Sequence, residues 1–134
     1  MEEIIKPIEG FDGYFISNLG KVYSNLGKGR RDRSIRVELY EVKPRPGRTG
    51  YMRVYMRDSQ TNKRVDRYIH RLVASHFIEN IHNKRIVNHI DSDRSNNRMD
   101  NLEWVTTLEN IEHAMTFGSL ERDSSTGRYQ RKVS

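Results

Sequence analysis

The stretch VNHIDSDRSNNRMDNLEWVTTLEN, residues 87–110, decides the reading of this chain. RIVNH (85–89) is a short apolar run that ends on His89 and reads as a strand. Residues 91–101 are polar and irregular, and EWVT (103–106) reads as a second short strand. Thr106 and Glu109 then have the T-x-x-E spacing of a capping box. In that motif, the hydroxyl and the carboxylate each satisfy a backbone N–H left open at a helix start. The spacing predicts a helix from residue 107 to Phe117, stopped by Gly118. Strand, loop, strand and helix would bring His89, Asn101 and Asn110 into one small unit.

These residue types suit hydrolysis of a phosphodiester. The reaction needs an activated water and an offset for the charge on the phosphate and the leaving oxygen. An imidazole titrates near neutrality and serves as a base. Asn88 offers an amide oxygen to a cation. Asn101, or a backbone carbonyl, is expected to accept from one ring nitrogen of His89 and leave the other free as base. Asn110 lies in the first turn of the final helix, and His113 projects from the same face three residues on. Such a site, mostly oxygen, suits Mg²⁺ or Mn²⁺, and His113 as a ligand would also admit Zn²⁺ or Ni²⁺. DSDRSNN (91–97) resembles a calcium loop only superficially. The required glycine would fall at Asn96 and the closing glutamate at Leu102. A hydrogen-bonded loop is expected instead, with Asn96 and Asn97 taking strained backbone angles.

Working outward, residues 69–78 place Leu72, Val73, His76 and Phe77 on one face of a short helix. His70 and His76 there suit packing or phosphate contacts. GYMRVYMRD (50–58) alternates, with Tyr51, Arg53, Tyr55 and Arg57 on one face and Met52, Val54 and Met56 on the other. A turn near Asn62 leads to a shorter strand, KRVDRY (63–68). GYFISNLGKVYS (13–24) reads as a hairpin that turns on Asn18 and Gly20. NLGKGRRDRSIR (25–36) reads as a mobile basic loop. Trp104 is expected in the core with Leu102, Ile111 and Leu72. The tail from Glu121 has almost no apolar residues and is expected to be flexible.

Only 34% of the 134 residues are hydrophobic, so the core is thin. There are no cysteines, which excludes disulfides and thiolate zinc sites. No apolar run approaches membrane-spanning length, and MEEIIKPIEG does not read as a signal peptide. A cytoplasmic protein is expected. The net charge of +6 is unevenly spread. Residues 1–27 carry 2 basic and 4 acidic side chains, 28–73 carry 14 and 5, and 74–134 carry 8 and 9. A central basic block attracts phosphate backbones, although a solvated basic surface would look the same. The residues expected on double-stranded DNA are Arg30, Arg31, Arg33 and Arg36 in the basic loop, and Lys43, Arg45 and Arg48 around the Pro44–Gly50 break. Arg53, Arg57, Arg64 and Arg67 on the following strands and Arg71 on the helix complete the set.

The run VNHIDSDRSNNRMDNLEWVTTLENIEHA (87–114) resembles the HNH endonuclease family, in the form common in phage and intron-encoded homing enzymes. HRLVASHFIEN (70–80) resembles the helix before that motif. KPIEGFDGYFISNLGKVYS (6–24) is similar to a small module that accompanies it in homing nucleases. The resemblance implies an α+β fold in which a ββα-metal (His-Me finger) unit follows a small antiparallel β region and a short helix. It implies His89 as general base, Asn101 as the residue positioning it, and Asn88 and Asn110 as metal ligands, with His113 at the edge of the shell. It divides the chain into a hairpin module (1–27), a basic DNA-binding region (28–67), a nuclease domain (68–118) and a tail (119–134). The expected function is metal-dependent DNA cleavage, a monomer nicking one strand and a homodimer breaking both. The alternatives are a DNA-binding regulator or packaging accessory with weak or lost activity, and an RNA-directed protein.

Overall fold

Glycine and asparagine set the turns that build the N-terminal sheet. In the computed structural model, which describes residues 1–27, 35–116, 120–122 and 129–131, strands β1 (Ile5–Pro7), β2 (Tyr14–Ser17), β3 (Val22–Leu26) and β4 (Arg36–Glu41) form one antiparallel sheet in sequence order. The expected hairpin is its centre, with Ile16 opposite Val22. Gly20 closes the turn at φ +85°, a left-handed conformation that suits glycine. The flanking strands β1 and β4 were not legible in the sequence. β1 is three exposed residues held by pairing, and β4 alternates too weakly to declare itself. The basic loop expected over 25–36 therefore gives way to β3 at one end and to β4 from Arg36, and its centre lies outside the described residues.

A second sheet joins β5 (Arg45–Pro46), β6 (Met52–Arg57) and β7 (Arg64–Tyr68). The alternation in β6 reads out as predicted, with Val54 and Met56 fully buried. Between β6 and β7, the Asp58 carboxylate accepts the amides of Gln60 and Thr61, and Asn62 takes φ +57°. Helix α1 (Ile69–Phe77) follows β7 directly and buries Ile69, Leu72, Val73 and Ala74. A third sheet is the hairpin of β8 (Ile86–His89) and β9 (Leu102–Val105). Trp104 is half-buried on β9, and its indole N–H donates to the Ile78 carbonyl at 3.1 Å, tying the end of α1 to β9.

Helix α2 (Thr107–Thr116) starts on the predicted capping box. Thr106 Oγ1 accepts the Glu109 amide at 3.2 Å, and Glu109 Oε1 accepts the Thr106 amide at 3.0 Å. Its expected end at Phe117 and Gly118 lies outside the described residues. In the tail, Leu120–Arg122 (β10) pairs antiparallel with Tyr129–Arg131 (β11). The strained angles expected at Asn96 and Asn97 fall instead on Ser92, at φ +63°.

One apolar cluster runs through all of this. Ile8, Phe11, Ile16 and Val22 from the first sheet meet Val54 and Met56 of β6, Ile69, Leu72 and Val73 of α1, and Val87 and Leu102 of the last hairpin. A shared core couples its layers, so they should melt together. Ile16 is completely buried, and Ile16→Ala should cost about 2–5 kcal/mol. We expect one unfolding transition in which the Trp104 fluorescence and the amide protection of β6 are lost together. Two separate transitions would show that the N-terminal sheet is an independent unit.

Candidate active site

Strand β8 delivers Asn88 and His89 to opposite faces of the last hairpin, as alternation requires. Asn88 sits opposite Glu103 in the register, and its Nδ2 donates to Glu103 Oε1 at 3.0 Å. His89 turns the other way and ends the strand. Its Nε2 lies 2.7 Å from Asn97 Oδ1. An amide oxygen only accepts, so the ring proton sits on Nε2 and the lone pair on Nδ1.

The contact expected between Asn101 and His89 is not formed. Asn101 instead organises the loop that starts after His89. Its side chain accepts the Asp91 amide at 3.1 Å and donates to Asp91 Oδ1 and to the Asn96 carbonyl, both at 2.9 Å. Its own carbonyl accepts the Ile90 amide. The Asp91 carboxyl is held below the usual carboxylate range, first by the Asn96 amide and then by the Asp93 backbone N–H and the Asn101 amide. A short 3₁₀ turn, Met99–Asn101, returns the chain to β9. Asn101 thus shapes the loop, and Asn97 on that loop holds the histidine. The sequence offered Asn96 and Asn97 as equals, and nothing in the spacing separated them.

His89 ends its strand and is nevertheless only 4% exposed. The rings of His70 and Tyr51 lie against it, with centroids at 5.1 and 5.8 Å, and are themselves stacked at 4.9 Å. Arg94 lies over the Tyr51 ring at 4.5 Å and donates to the Thr49 carbonyl. His70 therefore belongs to the site, a role the sequence left as packing or phosphate contact. Its Nδ1 is buried without a hydrogen-bond partner among the described residues. Burial, followed by the charges of His89 and Arg71, pushes its pKa down to about 4.

Helix α2 packs on β8 and β9 and carries Asn110 at the end of its first turn, with the Asn110 amide bonded to the Thr106 carbonyl. His113 Nε2 is 2.9 Å from the Ile90 carbonyl, so it donates there and anchors the helix beside the histidine strand. Among the described residues no cluster of three or more His, Asp or Glu side chains is placed to hold a metal.

The basic residues fall into several settings. Arg45, Arg53 and Arg64 surround the Tyr55 ring at 5.4, 5.6 and 3.9 Å. Arg53 also pairs with Asp66 at 2.7 Å. Arg36 pairs with Asp12, Arg57 donates to the Asn62 carbonyl, and Arg67 lies over Phe11. Arg71 lies over Trp104 and donates to the Arg85 carbonyl. Lys43 and Arg48 are exposed, while Arg30, Arg31 and Arg33 lie outside the described residues.

This arrangement has relatives. A family model described as HNH endonuclease matches residues 67–111. A solved structure reporting DNA binding and cleavage by the HNH homing endonuclease I-HmuI superposes with a TM-score of 0.69 at 34% identity, covering 90% of this chain. By family model and by fold, the chain is similar to the HNH endonucleases. A protein of Acanthamoeba polyphaga mimivirus, named as an uncharacterised HNH endonuclease, is 39% identical over 84 residues, or 61% of the chain. The chain spans 62% of the I-HmuI structure and 18% of the mimivirus protein. The HNH match covers α1, the last hairpin and the start of α2, which are the elements that carry His70, His89, Asn97 and Asn110.

The buried His70 makes stability depend on pH in a defined direction. Its folded pKa, about 4, lies below the ordinary 6.5, so the unfolded chain binds the extra proton. Its contribution is therefore absent above pH 6.5, and between 6.5 and 4 it costs about 1.4 kcal/mol for each pH unit of acidification. In denaturant melts from pH 7 to 4.5, His70→Gln should lose stability less steeply than the native chain. Parallel curves would remove His70 as a titrating group.

Proposed function

We propose that the protein is a metal-dependent DNA endonuclease of viral or mobile-element type that hydrolyses phosphodiester bonds and leaves a 5′-phosphate and a 3′-hydroxyl. The observation that carries this is the fixed imidazole of His89, whose proton is committed to Asn97 at 2.7 Å. Nδ1 is then the atom that takes a proton from the attacking water. Tyr51 and His70 cover faces of the ring, so water and phosphate approach along its edge.

The donor set on β8 and α2 fits a hard cation. With Nδ2 of Asn88 committed to Glu103, its Oδ1 is the donor left, and Asn110 offers a second amide oxygen. His113 has Nε2 on a carbonyl and serves as an anchor for α2. A divalent cation, Mg²⁺ or Mn²⁺, would supply charge to the scissile phosphate and the leaving oxygen. Asn101 stabilises the loop that presents Asn97, which makes it a positioning residue.

Residues 28–67 are assigned to the duplex and 68–118 to cleavage, with 1–27 as an attached module and 119–134 as a tail. The arginines around Tyr55 support phosphate contact by the β6–β7 ribbon. One base and one cation per chain make one cut, so a monomer nicks. No helix among the described residues is long and apolar enough to cross a membrane, and a cytoplasmic setting is part of this proposal. The burial of His89 favours, as the second reading, a DNA-binding protein with little activity.

Supercoiled plasmid separates the two readings. With Mg²⁺ or Mn²⁺ the native chain should nick it, chelation should stop the reaction, and His89→Ala should lose about 10²–10⁴-fold in rate. Binding without cleavage in either metal would establish the second reading. Asn88→Asp would set a carboxylate beside Glu103. It should destabilise the metal-free protein and raise its melting temperature when Mn²⁺ is added. Equal melting with and without Mn²⁺ would move the cation away from Asn88.

The ribbon makes a separate prediction. Arg64→Ala should weaken binding to all duplex sequences alike and lower the slope of log K against log salt by about 1. An unchanged slope would take Arg64 off the phosphates.

A further inference from the structure

We infer that the Asn18–Gly20 turn of the N-terminal sheet positions the catalytic histidine through the 97–99 segment, so that the first sheet is part of the catalytic unit. This inference rests on the nuclease reading above and adds residues to it.

The turn touches the loop at two points. The Asn18 carbonyl accepts the Met99 amide at 2.8 Å. The Cα of Gly20 faces the backbone of Asn97 so closely that a Cβ there would sit 2.8 Å from the Asn97 carbonyl carbon and oxygen and 2.9 Å from its Cβ. Asn97 is the residue whose Oδ1 holds His89 Nε2. One peptide face of the turn therefore sets how near the Asn97 backbone can come, and one hydrogen bond fixes the register two residues later.

The turn is itself held rigidly. Asn18 is 2% exposed. Its Oδ1 accepts the Ile4 amide at 2.8 Å, its Nδ2 donates to the Glu2 carbonyl at 3.0 Å, and its backbone N–H donates to the Ile4 carbonyl at 3.1 Å. Ser17 beside it is buried and donates to the Glu3 carboxylate at 2.7 Å. Residues 2–4 thus brace the turn, the turn braces Asn97, and Asn97 braces the imidazole. The loop is held from its other side by Asn101 and Asp91. Asn97 lies between the two supports.

Two glycines in the same sheet separate this contact from ordinary backbone strain. Gly10 has φ +82° and Gly20 has φ +85°, so alanine is strained equally at both. A Cβ at Gly10 meets nothing within 4 Å, whereas one at Gly20 meets Asn97. Gly20→Ala should lower kcat by about ten- to a hundred-fold, as a displacement of around an ångström does, with KM for DNA within about twofold. Gly10→Ala should retain the native kcat. The ring ¹⁵N signals of His89, assigned by their loss in His89→Ala, should report the Nε2–H tautomer in the native chain and in Gly10→Ala. In Gly20→Ala they should show a mixture. This spectrum is read without DNA or metal, so it tests the clamp even if the native chain proves not to cut. If Gly20→Ala does not fold, Asn18→Ser, which loosens the Ile4 and Glu2 contacts and keeps the backbone carbonyl, should shift the same signals. Native His89 signals in whichever of these variants folds would overturn the inference, as would a native kcat in Gly20→Ala.

Discussion

A single hydrogen bond, from His89 Nε2 to Asn97 Oδ1, is the constraint around which the rest of this structure is arranged. A neutral imidazole has two tautomers, and only one presents a lone pair at a given place. Fixing the tautomer requires an acceptor at one nitrogen, and the acceptor must itself be fixed. Asn97 sits on an irregular loop, where backbone order has to come from side chains. Asn101 and Asp91 supply that order from within the loop, and Asn18 and Gly20 supply it from another sheet. The asparagine content of residues 88–101 follows from this demand. A short amide donates and accepts at once, so it can replace the missing backbone partners of a loop.

The same demand explains which parts were legible in the sequence. The β6 strand, α1 and the Thr106–Glu109 capping box were readable because their signals are local: a period of two, a period near four and a fixed spacing. The β8–β9 hairpin was readable within one residue. The partner of His89 was misread because Asn97 and Asn101 are chemically equivalent and both lie within reach along the chain. Only the path of the loop decides between them, and that path depends on Met99 meeting Asn18, far away in sequence. β1 and β4 were missed for a related reason. Their residues are exposed, and their strand conformation comes from pairing with β2 and β3 rather than from a buried face.

Burial of the histidine site has an electrostatic consequence. His70 stacks on Tyr51, His89 lies tilted against both rings, and Arg94 lies over Tyr51. Burial, followed by the charges of His89 at 5.1 Å and of Arg71, keeps the His70 imidazole neutral. A neutral His70 adds apolar and dipolar surface beside His89 without adding charge.

The basic ribbon obeys the opposite logic. Arg45, Arg53 and Arg64 gather around the Tyr55 ring, where like charges repel. The ring quadrupole offsets part of that repulsion, and Asp66 offsets more at Arg53. Close pairing of every guanidinium with a carboxylate would have neutralised the surface. An aromatic ring holds arginines together while leaving their net charge in place. The two regions thus differ in kind: burial keeps the His70 imidazole neutral beside His89, and the ribbon keeps charge concentrated at the surface. The helix between them, α1, follows β7 of the ribbon directly and carries His70, so the position of the ribbon and the environment of His89 are linked through one rigid element.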